Sequence, residues 1–155
     1  MTAAGPRGAL LLAAALATAG LGIALYLTVV HYGDQPIACN GIGDCEYVNS
    51  SEYAKLLGIP VALIGAAAYA TMLAGSIAAW LRRDALLLLA AWGVALASFA
   101  FSIYLTYIEL EVLEAICVYC VASASVMTAL FAALSAAVWM ARDDVFGDWS
   151  AEVGV

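Results

Sequence analysis

The sequence predicts an all-α membrane protein: a four-helix transmembrane bundle with an outward-facing loop and a short half-helix between spans 1 and 2. Three observations predict it. Across 155 residues, 66% are hydrophobic and 11% are charged, and the mean hydropathy is +1.02, whereas soluble domains hold roughly 45–50% apolar residues. The charges cluster between four long apolar runs. Basic side chains also alternate from one connection to the next, as a repeatedly crossing chain requires.

Ala9 to Val30 is free of charge, and about 20 residues rising 1.5 Å each cross a hydrocarbon core ~30 Å thick. Arg7 before this run and Ala17-Thr18-Ala19 within it suggest a cleaved leader. The run continues through Leu21, Ile23 and Leu27 to Val30, past the ~7–15 residues of a leader core, so it reads as a retained span. His31 to Gly58 turns polar, and its first half is broken by glycine and proline. Asn49-Ser50-Ser51 is placed to cap a short helix over Glu52–Leu57. Gly58-Ile59-Pro60 closes the loop and starts the second span, about 60–80, with proline in the first turn. Trp80 sits where an interfacial aromatic belongs. Leu81-Arg82-Arg83-Asp84 is a tight connection, and the third span, about 85–108, ends at Tyr104 and Tyr107. Glu109 to Glu114 reads as a short acidic connection, with Glu109, Glu111 and Glu114 on a solvated rim. The fourth span, about 116–140, ends at Trp139 and Arg142. One transmembrane domain is expected over 1–142, and an acidic, disordered cytoplasmic tail over 143–155.

Four spans put both termini on one side. Arg7, Arg82, Arg83 and Arg142 all fall there, leaving Lys55 as the exception. By the positive-inside rule the protein is expected in the plasma membrane with cytoplasmic termini and the cysteine-bearing loop outside. A net charge of -7 excludes a nucleic-acid footprint, which needs a basic face.

The chemistry lies in four cysteines: Cys39 and Cys45 in the loop, Cys117 and Cys120 opening the last span. All belong to the outer half, where disulfides persist. Residues three apart share a helix face, and the positive end of a helix dipole favours a thiolate at Cys117 and Cys120. One reading is an electron path from a mobile loop dithiol to a fixed dithiol and on to a lipid-soluble quinone, since neither a dinucleotide fingerprint nor a haem-type Cys-x-x-Cys-His is present. The same residues also suit a non-catalytic four-span protein whose outer loop is stapled by two disulfides. A four-thiolate metal site is the third reading, disfavoured by the spacing of Cys39 and Cys45, so no metal is expected. His31 lacks a second histidine and reads as interfacial. Tyr69, inside the second span, needs a hydrogen-bond partner in the bundle and is a candidate for a quinone pocket.

Tyr26-Leu27-Thr28, the Cys39 and Cys45 pair, Ser51, Gly58-Ile59-Pro60 with Gly65 and Tyr69, and Cys117-Val118-Tyr119-Cys120 together resemble the vitamin K epoxide reductase (VKOR) family over nearly the whole chain. The resemblance implies a four-helix bundle around a quinone, either ubiquinone, menaquinone or vitamin K. It implies that Cys120 reacts with the quinone, that Cys117 is its partner, that Cys45 exchanges with Cys117, and that Cys39 completes the shuttle disulfide facing a protein donor. Ser51 matches the family's serine supporting loop and site geometry. Members outside animals resemble disulfide generators for exported proteins, oxidising a thioredoxin-like or DsbA-like partner. Many bacterial members carry a fused thioredoxin-like domain after a fifth span; this sequence has four spans, so a separate donor protein is expected. Vertebrate members hold the vitamin K head group with an asparagine and a tyrosine, and the corresponding positions here are Val61 and Ala124. Neither donates a side-chain hydrogen bond, which speaks against epoxide reduction while leaving an apolar pocket for a naphthoquinone ring.

Overall fold

The computed structural model describes residues 5–33, 39 and 43–142. Helix α1 (Gly5–Gly33) is followed by α2 (Cys45–Ser50), a 3-10 turn (Glu52–Ala54), strands β1 (Lys55–Leu56) and β2 (Ile59–Pro60), α3 (Val61–Arg82), α4 (Ala85–Tyr107) continued by a π turn (Ile108–Val112), and α5 (Val118–Met140). Four helical segments are long and apolar enough to cross a membrane: Pro6–Gly33, Val61–Arg82, Ala85–Val112 and Val118–Met140. The protein is an all-α, multi-pass membrane bundle. The proposed tail 143–155 lies outside the described residues.

α1 packs on α3 and α5, and α4 packs on the same two helices, so α1 and α4 occupy opposite corners. Lipid tails give little hydrophobic drive between helices, and small residues at the seams let backbones approach and gain dispersion contacts. Ala13, Ala17 and Ala24 of α1, Ala91 and Ala95 of α4, and Ala133 and Ala137 of α5 are all buried. A Cβ added to Gly75 of α3 would lie 2.9 Å from that of Ala91. Phe131 stacks between Phe99 and Trp92, and Trp92 Nε1 donates to Ser135 Oγ at 3.0 Å, a polar tie between α4 and α5.

The tight connection at residues 81–84 forms as expected. Arg83 takes the left-handed conformation that ends α3, and Asp84 caps α4 by accepting from the backbone N–H groups of Leu86 and Leu87. Arg7, Arg82, Arg83 and Arg142 lie at helix ends on one side of this up-and-down bundle, while the cysteine loop and the 108–117 connection lie at the other.

Three local expectations need correction. The half-helix begins at Cys45, and Glu52–Leu57 does not continue it. That stretch forms the 3-10 turn and a hairpin pairing Lys55 with Pro60 and Leu56 with Ile59. Leu57 and Gly58 both have positive φ, 53° and 84°, the conformation of a two-residue hairpin turn. Leucine is not a residue that advertises such a turn. Pro60 therefore caps α3 from one position before its first turn. Finally, the third span does not stop at an acidic loop: Leu113 N–H donates to Ile108 O at 2.9 Å, so helical backbone runs to Val112. Glu111 and Glu114 are exposed, but Glu109 is buried, only 5% exposed, because this wide turn keeps it on the inner face.

Candidate redox site at the loop end of the bundle

Cys39 and Cys45 form a disulfide, with Cα atoms 6.4 Å apart. Cys45 opens α2 and is 1% exposed. The peptide just before it is fixed, since Asp44 N–H donates to Ile116 O at 3.0 Å. That bond joins the residue preceding Cys45 to the residue preceding Cys117. Gly43 makes the approach possible: its φ is +84°, and a Cβ there would overlap the Ile116 carbonyl oxygen. Elsewhere, the His31 ring meets Asn49 O through Nδ1 at 3.2 Å, linking the end of α1 to α2. Ser51 Oγ donates to Val48 O at 2.8 Å, closing the end of α2. The sequence reading made the loop pair a mobile dithiol; the structure anchors its Cys45 end.

Cys117 and Cys120 are free thiols. Cys117 occupies the N-cap of α5, and its Sγ accepts from Cys120 N–H at 3.4 Å. The Cys117 thiol is held below its ordinary range, first by a hydrogen bond from the Cys120 side chain and further by the backbone N–H groups of Cys120 and Tyr119. Burial and the neighbouring Glu109 carboxylate oppose this. The Glu109 carboxylate also accepts from Cys117 N–H, so it anchors the peptide that carries the sulfur.

A cavity of about 190 Å³ lies beneath the loop, among α1, α3, α4 and α5. Cys120 borders it and Cys117 does not. Every residue that the sequence offered for a cofactor, Ser51, Val61, Tyr69, Cys120 and Ala124, lines this space. Tyr69 finds the partner its burial demands, with Oη donating to Ser123 O at 2.9 Å and lying 3.1 Å from Ser123 Oγ. Apolar walls with a few convergent polar groups are the usual form of a small-molecule site. The Cys120 thiol forms part of the cavity wall.

A family model described as the vitamin K epoxide reductase family matches residues 11–135. The chain belongs to the vitamin K epoxide reductase family. A closed Cys39–Cys45 disulfide and the open Cys117 and Cys120 thiols fit a thiol oxidoreductase of that family, which is associated with quinones. The stapled-loop alternative needs two closed bridges, and only the loop pair is closed.

Sequence reasoning missed Glu109, Ser123, Gly43 and Gly20. A signal for Glu109 was present: Ser98, Ser102, Leu105 and Glu109 recur at helical spacing and all line the cavity. Gly20 of α1 faces the Tyr69 ring so closely that a Cβ would overlap it. Gly20→Ala is therefore expected to push the Tyr69 ring aside and destabilise the bundle by about 1–3 kcal/mol, as overpacked cores do. A lowered thermal midpoint in detergent would show it; a midpoint unchanged from wild type would mean that the ring yields freely.

Proposed function

We propose that this VKOR-family protein oxidises a thioredoxin-like or DsbA-like dithiol on a separate protein and passes the electrons to ubiquinone or menaquinone, generating disulfides in exported proteins. The plasma membrane is the setting, with both termini cytoplasmic and the loop outside. The distribution of arginines supports that orientation.

The donor dithiol reduces the Cys39–Cys45 disulfide and is itself oxidised. The Cys45 thiolate then attacks Cys117 of an oxidised Cys117–Cys120 pair, forming a Cys45–Cys117 bond and releasing the Cys120 thiolate. Attack by Cys39 on Cys45 restores the outer disulfide and leaves the inner pair reduced. The inner dithiol then closes again, and its two electrons and two protons convert the quinone to hydroquinone. The outer pair oxidised and the inner pair reduced is the state that precedes this last step.

The observation that carries the reading is the Asp44 to Ile116 hydrogen bond. It joins the residue before Cys45 to the residue before Cys117, while Cys120 borders the cavity. A Cys39→Ala, Cys120→Ala double variant should therefore accumulate a Cys45–Cys117 disulfide, identified by mass spectrometry of non-reduced peptides. Absence of that link after mild oxidation would defeat the relay.

A further inference from the structure

We infer that Glu109 is a catalytic carboxylate of the inner dithiol, taking the proton that leaves Cys120 as the disulfide closes and delivering it to quinone oxygen in the cavity. This rests on the reading that the inner pair reduces a quinone.

Of the three acids after α4, Glu109 alone is turned inward. Burying a carboxylate is costly unless something nearby uses or compensates it. Among the described residues no lysine, arginine or histidine lines the cavity, so no cation among them holds Glu109 there as half of an ion pair. Its surroundings are the reacting atoms: a carboxylate oxygen of Glu109 and the Sγ atoms of Cys117 and Cys120 all lie within 4.8 Å of one another. The same side chain borders the cavity beside Cys120.

The backbone is built to keep it there. The π turn closes through Leu113 N–H to Ile108 O, and Ala115 N–H donates to Glu109 O at 3.2 Å. Single π turns inside α-helices occur often at functional sites.

Closing the Cys117–Cys120 bond releases two electrons to the quinone and two protons. Glu109 takes the Cys120 proton and delivers it to one quinone oxygen, while the Cys117 proton passes to solvent, from which the second quinone oxygen takes an equal one. Among the described residues, the other titratable groups around this space are Cys117 and Cys120, Tyr69 of α3 and Tyr53 of the 3-10 turn, whereas α1 contributes Ala24 and Leu27, which do not titrate. Tyr69 Oη is committed to Ser123.

Glu109→Gln tests this, because its amide oxygen can still accept from Cys117 N–H while the side chain can no longer carry a proton. Reduced full-length protein is mixed with menadione or a short-chain ubiquinone, and single-turnover hydroquinone formation is followed across pH. The wild-type rate should fall as pH drops and the carboxylate is protonated. Glu109→Gln should lose that acid limb and be slower by about 100-fold, within the range for general acid–base catalysis. Glu109→Asp should recover part of the rate. A second readout needs no quinone: the infrared difference between reduced and oxidised wild type should contain a carboxyl signal that Glu109→Gln lacks. A Gln variant with the wild-type rate and pH profile overturns the inference, as does a loss matched by a fall in thermal midpoint and not recovered by Asp. Wild type that fails to reduce either quinone would instead sink the underlying functional reading.

Discussion

Replacing Cys120 with alanine is expected to abolish quinone reduction, with a loss on the order of 10³-fold or more, as when a reacting nucleophile is removed. Cys120 is the inner sulfur that borders the cavity, and Cys117, held at the N-cap of α5, has no surface on it. The variant should still form a mixed disulfide between Cys45 and Cys117, because the peptides before those sulfurs remain hydrogen-bonded. A second effect has a defined sign. The Cys120 side chain is the largest cause of the lowered Cys117 titration, so removing it should move that titration back up toward the ordinary thiol range. Alkylation follows the thiolate fraction. Wild-type Cys117 should therefore keep reacting as pH falls, while the variant loses reactivity at a higher pH. Hydroquinone formation and the rate of Cys117 alkylation against pH measure the two effects, and undiminished turnover would assign the quinone chemistry elsewhere.

The spans were legible because a membrane helix must satisfy its own backbone and present apolar side chains over a fixed thickness. Both requirements leave a signal in every residue of the run. The ends were less legible: Val118 begins α5 where about 116 was expected, and α4 continues helically to Val112. The Cys39–Cys45 pairing was readable through the family resemblance, and that Tyr69 needs a partner was readable because a buried hydroxyl must be satisfied, although Ser123 itself was not. Glu109 was misread because charge was taken as a mark of solvent. At a redox site that assumption fails, since a carboxylate can be turned inward by a single wide helical turn that no residue type announces. The half-helix was displaced for a related reason. Asn49, Ser50 and Ser51 look like caps, yet Ser51 closes the end of α2 instead of starting a helix after it. The docking of the loop on the segment before α5 had no sequence signal beyond a glycine at 43.

That glycine carries the second large effect. Gly43→Ala should slow electron transfer from the outer to the inner pair by about tenfold or more while leaving single-turnover quinone reduction by the pre-reduced inner pair unchanged. Two costs combine at this position. An L-residue in the left-handed region costs roughly 1–2 kcal/mol, and the new Cβ would overlap Ile116 O, the acceptor for Asp44 N–H. Gly58 separates the two, because it has the same φ of +84° but nothing within 4 Å of its would-be Cβ. Gly58→Ala therefore carries the backbone cost without the collision. The two variants should lose comparable stability from backbone strain, and only Gly43→Ala should also lose exchange rate. The reason is geometric: holding two reacting sulfurs in neighbouring frames replaces a search by a local step, and the Asp44 to Ile116 bond fixes those frames. Stopped-flow exchange with a reduced thioredoxin-like donor reads the first step, and menadione reduction by pre-reduced protein reads the last. Equal slowing by the Gly43 and Gly58 variants would assign the effect to general loosening of the loop and remove the docking bond from the relay.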